Sequence, residues 1–232
     1  GLKSVKDSVL NPLLYWDVNV NGSINLLKIM NKYRCRTIVF SSSATIYRSS
    51  ENIPLTENTD IEPINPYGMT KAAIEQLLND IYNSDSKSWK IANLRYFNPI
   101  GSHSSGKIGE SPMGIPSNIF PCITQVASGN IDKLTIFGND WPTKDGTCIR
   151  DYIHVMDLAD SHIAAINHLN NLKSKKYLDD FNIGTGKGIS VIQLIKMFEE
   201  STGKKVQYKI GKRRPGDLEV AYANTKKTEK IL

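Results

Sequence analysis

Thr37-Ile38-Val39-Phe40-Ser41-Ser42-Ser43-Ala44-Thr45 is the stretch that decides the fold. Thr37 to Phe40 is a short apolar run rich in β-branched residues, and it reads as a buried strand of a parallel sheet. The serine triplet then falls at the carboxyl end of that strand. Downstream, Asn65-Pro66 opens a helix whose apolar side carries Ala73, Ile74, Leu77, Leu78 and Ile81. Proline suits a first helical turn, where its missing N–H is not needed. A second strand is expected from Lys90 to Phe97, ended by Asn98-Pro99-Ile100-Gly101. Strand, helix, strand in that order argues for a parallel α/β sheet. Ligands of such sheets sit outside the carboxyl ends of the strands. Ser43 and Asn98 both fall on that rim, and Tyr67 follows the loop between them.

Tyr67-Gly68-Met69-Thr70-Lys71 places a phenol and an ammonium one helical turn apart on one face. A phenol ordinarily keeps its proton to about pH 10. A neighbouring positive charge favours the phenolate and is expected to pull that value down. Such a tyrosine is suited to general acid/base work near neutral pH. The Ser43 hydroxyl would hydrogen-bond the same substrate oxygen. The structural alternative for this pair is a half-buried tyrosine followed by a surface lysine.

Outward from this centre, Asn11-Pro12 opens a helix from Leu13 to about Tyr33, with Leu26, Leu27, Ile29 and Met30 as apolar positions. The stretch from Gly101 to Asp151 is rich in Gly, Pro and Asn and reads as a substrate-covering region. It holds short pieces at Asn118 to Ser128 and Lys133 to Phe137. Asp157 is the expected N-cap of a helix through Leu169. Phe181 to Gly186 is a strand running into a turn, and Ser190 caps a helix from Val191 to about Glu200. Val206 to Ile210 reads as a last strand, and Lys226 to Leu232 as helical.

The chain has 232 residues, 40% of them hydrophobic, enough for a substantial core. Its formal net charge of +6 is spread along the sequence, apart from Lys204-Lys205 and Lys212-Arg213-Arg214. That distribution argues against nucleic acid as a partner and leaves room for an anionic substrate. Cys35, Cys122 and Cys148 are far apart, in no disulfide or zinc pattern, which fits reduced cytoplasmic thiols and no metal. No stretch has the apolar length of a membrane span, and Gly1-Leu2-Lys3-Ser4 has no signal-peptide character. A phosphate-cradling glycine motif after a first strand is absent. The late Gly184-x-Gly186-x-Gly188 reads as a turn before a helix. Either no dinucleotide is bound, or the part that binds it precedes Gly1.

Five stretches in order resemble the UDP-galactose 4-epimerases, extended short-chain dehydrogenase/reductases that act on nucleotide sugars. They are Phe40-Ser41-Ser42-Ser43-Ala44-Thr45-Ile46-Tyr47, Asn65-Pro66-Tyr67-Gly68, Leu94-Arg95-Tyr96-Phe97-Asn98-Pro99, Gly114-Ile115-Pro116 and Arg150-Asp151-Tyr152-Ile153-His154-Val155. Leu78 to Gly101 looks most like fungal members. The resemblance implies a Rossmann-like, doubly wound parallel sheet lacking its N-terminal strands, with a smaller mixed α/β substrate-binding domain. Residues 1–100 would be the later part of the NAD-binding domain. Residues 101–232 would be mainly the UDP-sugar domain, with 145–185 returning to the sheet. The chain would begin after the fourth Rossmann strand and stop before the last helices; a mutarotase domain can follow in fungal relatives. Homodimers would form through the Leu13–Tyr33 helix and the helix bearing Tyr67.

The implied chemistry is oxidation at C4 by NAD, rotation of the 4-keto sugar and re-reduction, interconverting UDP-galactose and UDP-glucose. Tyr67 would move the proton, Lys71 would lower its pKa and hold the nicotinamide ribose, and Ser43 would hold the 4-oxygen. The resemblance further assigns Lys3, Tyr96 and Phe97 to the cofactor. It assigns Ala44, Thr45, Asn98, Ser117, Asn118 and Ile119 to the sugar and phosphates. Thr135, Ile136 and Phe137 would meet the uracil. Arg150, Arg214 and Asp217 would meet the diphosphate and ribose, a task the planar guanidinium fork suits. An ion pair with Asp151 is the structural alternative for Arg150.

Four positions depart from the pattern or qualify it. Arg48 stands where a glycine is usual, and Ser117 replaces the first of two asparagines. Asn93 is polar within an apolar strand and needs a partner if buried. Ala221 is small where side-chain size governs entry of N-acetylated sugars, which leaves room for an acetamido group. Two other functions stay open: a nucleotide-sugar 4,6-dehydratase, and a non-catalytic sensor on the same fold. The first would need an Asp-Glu where Ala44-Thr45 stand, and the second commonly loses the Tyr or the Lys. Lacking the glycine loop, the chain alone is expected to be inactive.

Overall fold

The computed structural model describes residues 1–48, 52–84, 88–110, 116, 118–214 and 216–232. The chain opens with α1 (Val5–Leu10), α2 (Pro12–Tyr15) and α3 (Gly22–Lys32), then β1 (Thr37–Ser41), α4 (Pro66–Asn83), β2 (Lys90–Tyr96) and β3 (Asn98–Ile100). It continues through α5 (Ile119–Ala127), β4 (Leu134–Phe137), β5 (Ile149–Arg150), β6 (Tyr152–His154), α6 (Val155–Asn171) and β7 (Tyr177–Ile183). Last come β8 (Ile189–Ser190), α7 (Val191–Thr202), β9 (Tyr208–Gly211), β10 (Val220–Ala221) and α8 (Lys226–Ile231).

The central sheet runs β1-β2-β7, parallel throughout. Side chains alternate across a strand, so β2 has two different neighbours. Ala92 and Leu94 face α6 and pack with Leu158, Ala165, Leu169, Phe181 and Ile183. Ile91 faces α3 and α4 and packs with Leu27, Ile74, Leu78 and Trp89. Asn93 and Arg95 share the Ile91 side, nearer the carboxyl end of the strand. Parallel strands need long crossovers, and α4 supplies the one between β1 and β2. A third apolar cluster ties α5, β4 and α7 together around Ile123, Ile136, Leu194, Ile195 and Val206. Smaller pairings complete the molecule: β3 with β6 and β4 with β9, both parallel, and β5 between β10 and β8.

Several expectations are refined. The helix expected from Leu13 to Tyr33 is broken by a π-helical turn over Trp16–Asn21. That turn points Asn19 inward: its amide donates to the Leu2 carbonyl at 3.0 Å and to Thr70 Oγ1 at 3.2 Å. Asn98-Pro99-Ile100 does not simply end a strand; it forms β3 against β6. The α6 N-cap is His154 rather than Asp157. β6 runs straight into the helix, and His154 Nδ1 accepts from Met156 N at 3.2 Å. Ser190 does cap α7, in a full capping box with Gln193. The expected strand from Val206 begins at Tyr208, because Val206 is pinned under α7 by a bond from its N–H to Glu199 at 2.8 Å.

Candidate active site

The serine triplet turns the chain off the end of β1. Ser43 is extended and caps a short 3₁₀ turn, Ala44–Ile46, with its Oγ accepting from Thr45 N and Thr45 Oγ1. With both lone pairs engaged, the Ser43 proton is free to point elsewhere, and it meets the Tyr67 phenol. Tyr67 sits in the first turn of α4, which Asn65 caps by accepting from Gly68 N at 2.9 Å. Gly68 lets this turn approach closely: a Cβ there would lie 2.7 Å from the Thr45 carbonyl oxygen.

Lys71 follows one turn later. Its amine donates to the Ser41 carbonyl at 2.8 Å and lies 5.0 Å from the Phe40 ring centre and 5.8 Å from that of Tyr67. Behind Ser41 stands His162. Its Nδ1 donates to the Leu158 carbonyl at 2.8 Å, and its Nε2 shares a hydrogen bond with Ser41 Oγ at 2.8 Å. The Tyr96 hydroxyl shares a hydrogen bond with the Ser41 side chain.

The electrostatics differ from the expectation of a depressed tyrosine. Burial pushes the Tyr67 phenol above its ordinary value, Tyr96 and Tyr15 add to this, and the Ser43 bond pulls the other way. Lys71 does not offset it, because its own amine sheds the proton below the range where this buried phenol ionises. Burial instead lowers the Lys71 amine to about 8, against an upward pull from Glu75. Of the pair, the amine therefore titrates nearest neutral pH.

The other assigned residues fall in two places. Thr135, Ile136 and Phe137 form most of β4, with Ile136 buried and Phe137 exposed. The Arg214 guanidinium lies over the Phe137 ring at 4.6 Å and is held by Asp217 at 3.0 Å. Arg150 also approaches Asp217, at 3.9 Å, and makes no pair with Asp151. Asp151 is fully buried and accepts from Thr185 N, Thr185 Oγ1, Gly186 N and Ala223 N at 2.7–3.1 Å. The late glycine run wraps this carboxylate: a Cβ on Gly184 would lie 2.5 Å from Asp151 Oδ2. Ala221, on β10 opposite Arg150, shares one apolar cluster with Ala44 and Phe97. That cluster joins the serine turn to the arginine group.

Asn98 is exposed at the start of β3. Lys3 and Asn118 both reach Glu110, at 2.9 and 3.4 Å, away from the serine turn's own contacts. Ile119 begins α5 and packs on the β4 cluster. Ser117 lies outside the described residues. Arg48 is a surface residue, 3.3 Å from Glu62. Asn93 is buried and donates to Asp180 at 2.8 Å.

The sequence reading missed the polar set beneath the site. Arg95 and Glu75 are nearly fully buried, with Arg95 Nη2 at 2.7 Å from both Glu75 and Asp180. The available signal was spacing: Glu75 stands one turn beyond Lys71 and two beyond Tyr67, on the same face. Among the described residues no cluster of acidic, His or Cys side chains fits a metal ion, and no helix is long and apolar enough to cross a membrane.

The site can hold a polyhydroxylated ligand. The Lys71 ammonium has three donors and spends one on Ser41, so two remain for a diol such as a ribose. The fold defines a Rossmann-type α/β protein, with Ser43, Tyr67 and Lys71 gathered on the rim of its sheet.

The chain belongs to the NAD dependent epimerase/dehydratase family, whose profile matches residues 1–184. It is 51% identical to UDP-glucose 4-epimerase 2 of Arabidopsis thaliana, over 100% of this chain and 65% of that protein. It is 50% identical to a bifunctional UDP-glucose and UDP-xylose 4-epimerase 3 of the same plant, over 100% of this chain and 66% of that one. The crystal structure of UDP-glucose 4-epimerase from Bifidobacterium longum in complex with NAD+ and UDP superposes with a TM-score of 0.94 at 45% identity, covering 100% of this chain and 68% of that one. The chain thus spans less than two thirds of the length of the first of these curated relatives.

Proposed function

We propose that the whole protein to which this chain belongs interconverts UDP-galactose and UDP-glucose. The observation that carries this is the convergence of Ser43, Tyr67 and Lys71 on one rim, with Ala44 and Thr45 rather than carboxylates beside them. NAD, when bound, supplies the hydride acceptor and donor at C4. Ser43 donates to the sugar 4-oxygen and aligns it with Tyr67. Tyr67 Oη, as the phenolate, would take the hydroxyl proton on oxidation and, as the phenol so formed, return it on reduction. Lys71 presents its two remaining donors to the ribose and places a positive charge one helical turn from the phenol. Arg150 and Arg214, each beside Asp217, bind the diphosphate, and Phe137 offers its exposed ring to the uracil. Ala221 leaves room for an N-acetyl group on C2, which turnover of UDP-N-acetylgalactosamine would reveal.

Support from relatives is direct: epimerase names recur among those at about half identity, and the Bifidobacterium structure carries NAD+ and UDP. The two-part division at residue 100, with 145–185 returning to the sheet, belongs to the same reading. So does a homodimer through the Leu13–Tyr33 stretch and α4, supported by the exposed Leu10, Leu13, Leu14, Leu26 and Ile29. A cytoplasmic setting fits the three unpaired cysteines.

The test is to incubate the full-length protein with UDP-galactose and resolve the products. UDP-glucose at unchanged total mass supports the reading. Loss of one water from the sugar would move it to the dehydratases, and no conversion would contradict both.

A further inference from the structure

Three consecutive serines bind three successive residues of one α4 face. The Ser41 carbonyl accepts from Lys71, Ser42 Oγ donates to Glu75, and Ser43 meets Tyr67. The first and last of these contacts involve the reacting groups. The middle one does not, and the chemistry at C4 gives Glu75 no direct task. Yet Glu75 is the most firmly held of the three. Arg95 Nε lies 3.1 and 3.2 Å from its two oxygens, and Nη2 lies 2.7 Å from one of them. The rest of the guanidinium is also engaged, by Asp180 at 2.7 Å, the Tyr47 hydroxyl at 3.2 Å and the Glu57 carbonyl at 2.9 Å. A carboxylate fixed on both sides cannot drift, so neither can the hydroxyl bonded to it.

We propose that Glu75, clamped by Arg95, is a positioning residue that sets the distance between the serine turn and the Tyr67–Lys71 face of α4, acting through Ser42. This rests on the acid/base reading of Tyr67 and Lys71 above. Position matters on this scale, since a displacement of about 1 Å can cost on the order of a hundredfold in rate.

Glu75 acts on Lys71 in a second way. Its negative charge favours the ammonium and opposes the burial that disfavours it. The other groups facing Lys71 or the serine it binds are aromatic rings, a serine and a histidine. Tyr67 lies on its own helix, Phe40 and Ser41 come from β1, and Tyr96 and His162 reach Ser41 from β2 and α6. Tyr15 approaches Tyr67 from α2. Arg95 stands behind Glu75. Among the described residues, Glu75 is the carboxylate that acts on this amine. An ion pair kept for stability alone would be replaceable by apolar residues of similar volume. This one would not be.

The experiment uses the full-length protein and four variants. The Lys71 amine is titrated by NMR of isotope-labelled lysine, assigned with Lys71→Met. Epimerisation of UDP-galactose is followed in parallel. Glu75→Gln keeps an acceptor for Ser42 and removes the charge. It is expected to move the Lys71 midpoint below about 8. It should also lower kcat by about tenfold or more while KM stays within about twofold. Glu75→Asp restores the charge but shortens the reach, so the midpoint returns while kcat stays low. Ser42→Ala leaves the midpoint unchanged and lowers kcat. An unmoved Lys71 midpoint in Glu75→Gln, or wild-type kcat in Ser42→Ala, overturns the proposal. If Glu75→Gln does not fold, Ser42→Ala decides. If the wild-type protein converts no UDP-sugar, the acid/base reading fails on its own, and the Lys71 midpoint alone decides the role of Glu75.

Discussion

The two faces of the β1-β2-β7 sheet are built from adjacent residues of the same strands and have opposite character. Toward α6, Ala92, Leu94, Phe181 and Ile183 meet Leu158, Ala165 and Leu169 in a dry core. Toward α4, the strands begin apolar with Ile91 and Leu178, then turn polar with Asn93, Arg95, Asp180 and Asn182. The polar half lies directly beneath the serine turn. Burying charge costs stability unless every partner is present, so an apolar filling would be the simpler choice for stability. One face is a dry apolar core, while the other buries an ionic network of Arg95, Glu75 and Asp180 that reaches the serine turn through Ser42.

Breaking the polar face is expected to have the largest effect. Arg95→Met leaves the Glu75 carboxylate, 6% exposed, without its cation. It should cost about 3–5 kcal/mol in urea unfolding and lower kcat in the protein that remains folded. Phe181→Ala breaks the apolar face instead. It should cost a similar about 3–5 kcal/mol from the cavity left behind, with kcat of the folded protein unchanged. Loss of activity per folded molecule in Phe181→Ala would erase the distinction between the faces. Replacing Glu75 and Arg95 together by Met is expected to cost less than Arg95→Met alone, because no carboxylate is then left facing the empty position of its clamp. A double-mutant cycle in urea measures this.

A smaller, pH-dependent effect sharpens the comparison. At pH values below about 8, the Lys71 amine is charged in both folded and unfolded chains, and burying that charge costs stability. Above about 8 the folded protein sheds the proton, while the unfolded chain keeps it until near the ordinary 10.5. Stability relative to Lys71→Met should therefore rise with pH across that window. Unfolding curves at several pH values check this, and a constant difference between the two proteins would contradict it.

Much of this was legible in the sequence. β1, α4 and β2 follow from an apolar run, an Asn-Pro start and a second apolar run. The Ser43–Tyr67–Lys71 rim follows from where those elements end. The capping box at Ser190 is local and readable. The π-helical turn was not, because Asn19 is drawn inward by Thr70, a residue remote in sequence. The true cap of α6 was hidden because β6 leaves no loop before the helix. Glu75 and Arg95 read as ordinary charged residues until the sheet brings them together. Their pairing depends on tertiary contact, which no local pattern encodes. The upward push on Tyr67 was equally hidden, since spacing shows Lys71 nearby but not how deeply the phenol and the amine are buried.

The central claim is that Tyr67 moves the proton at the polar edge of this sheet. It is tested most directly by Tyr67→Phe in the full-length protein, with UDP-galactose turnover and the thermal midpoint measured side by side. The account predicts a fall in kcat of on the order of 10²–10⁴-fold with the midpoint nearly unchanged. Turnover within about twofold of wild type would contradict it.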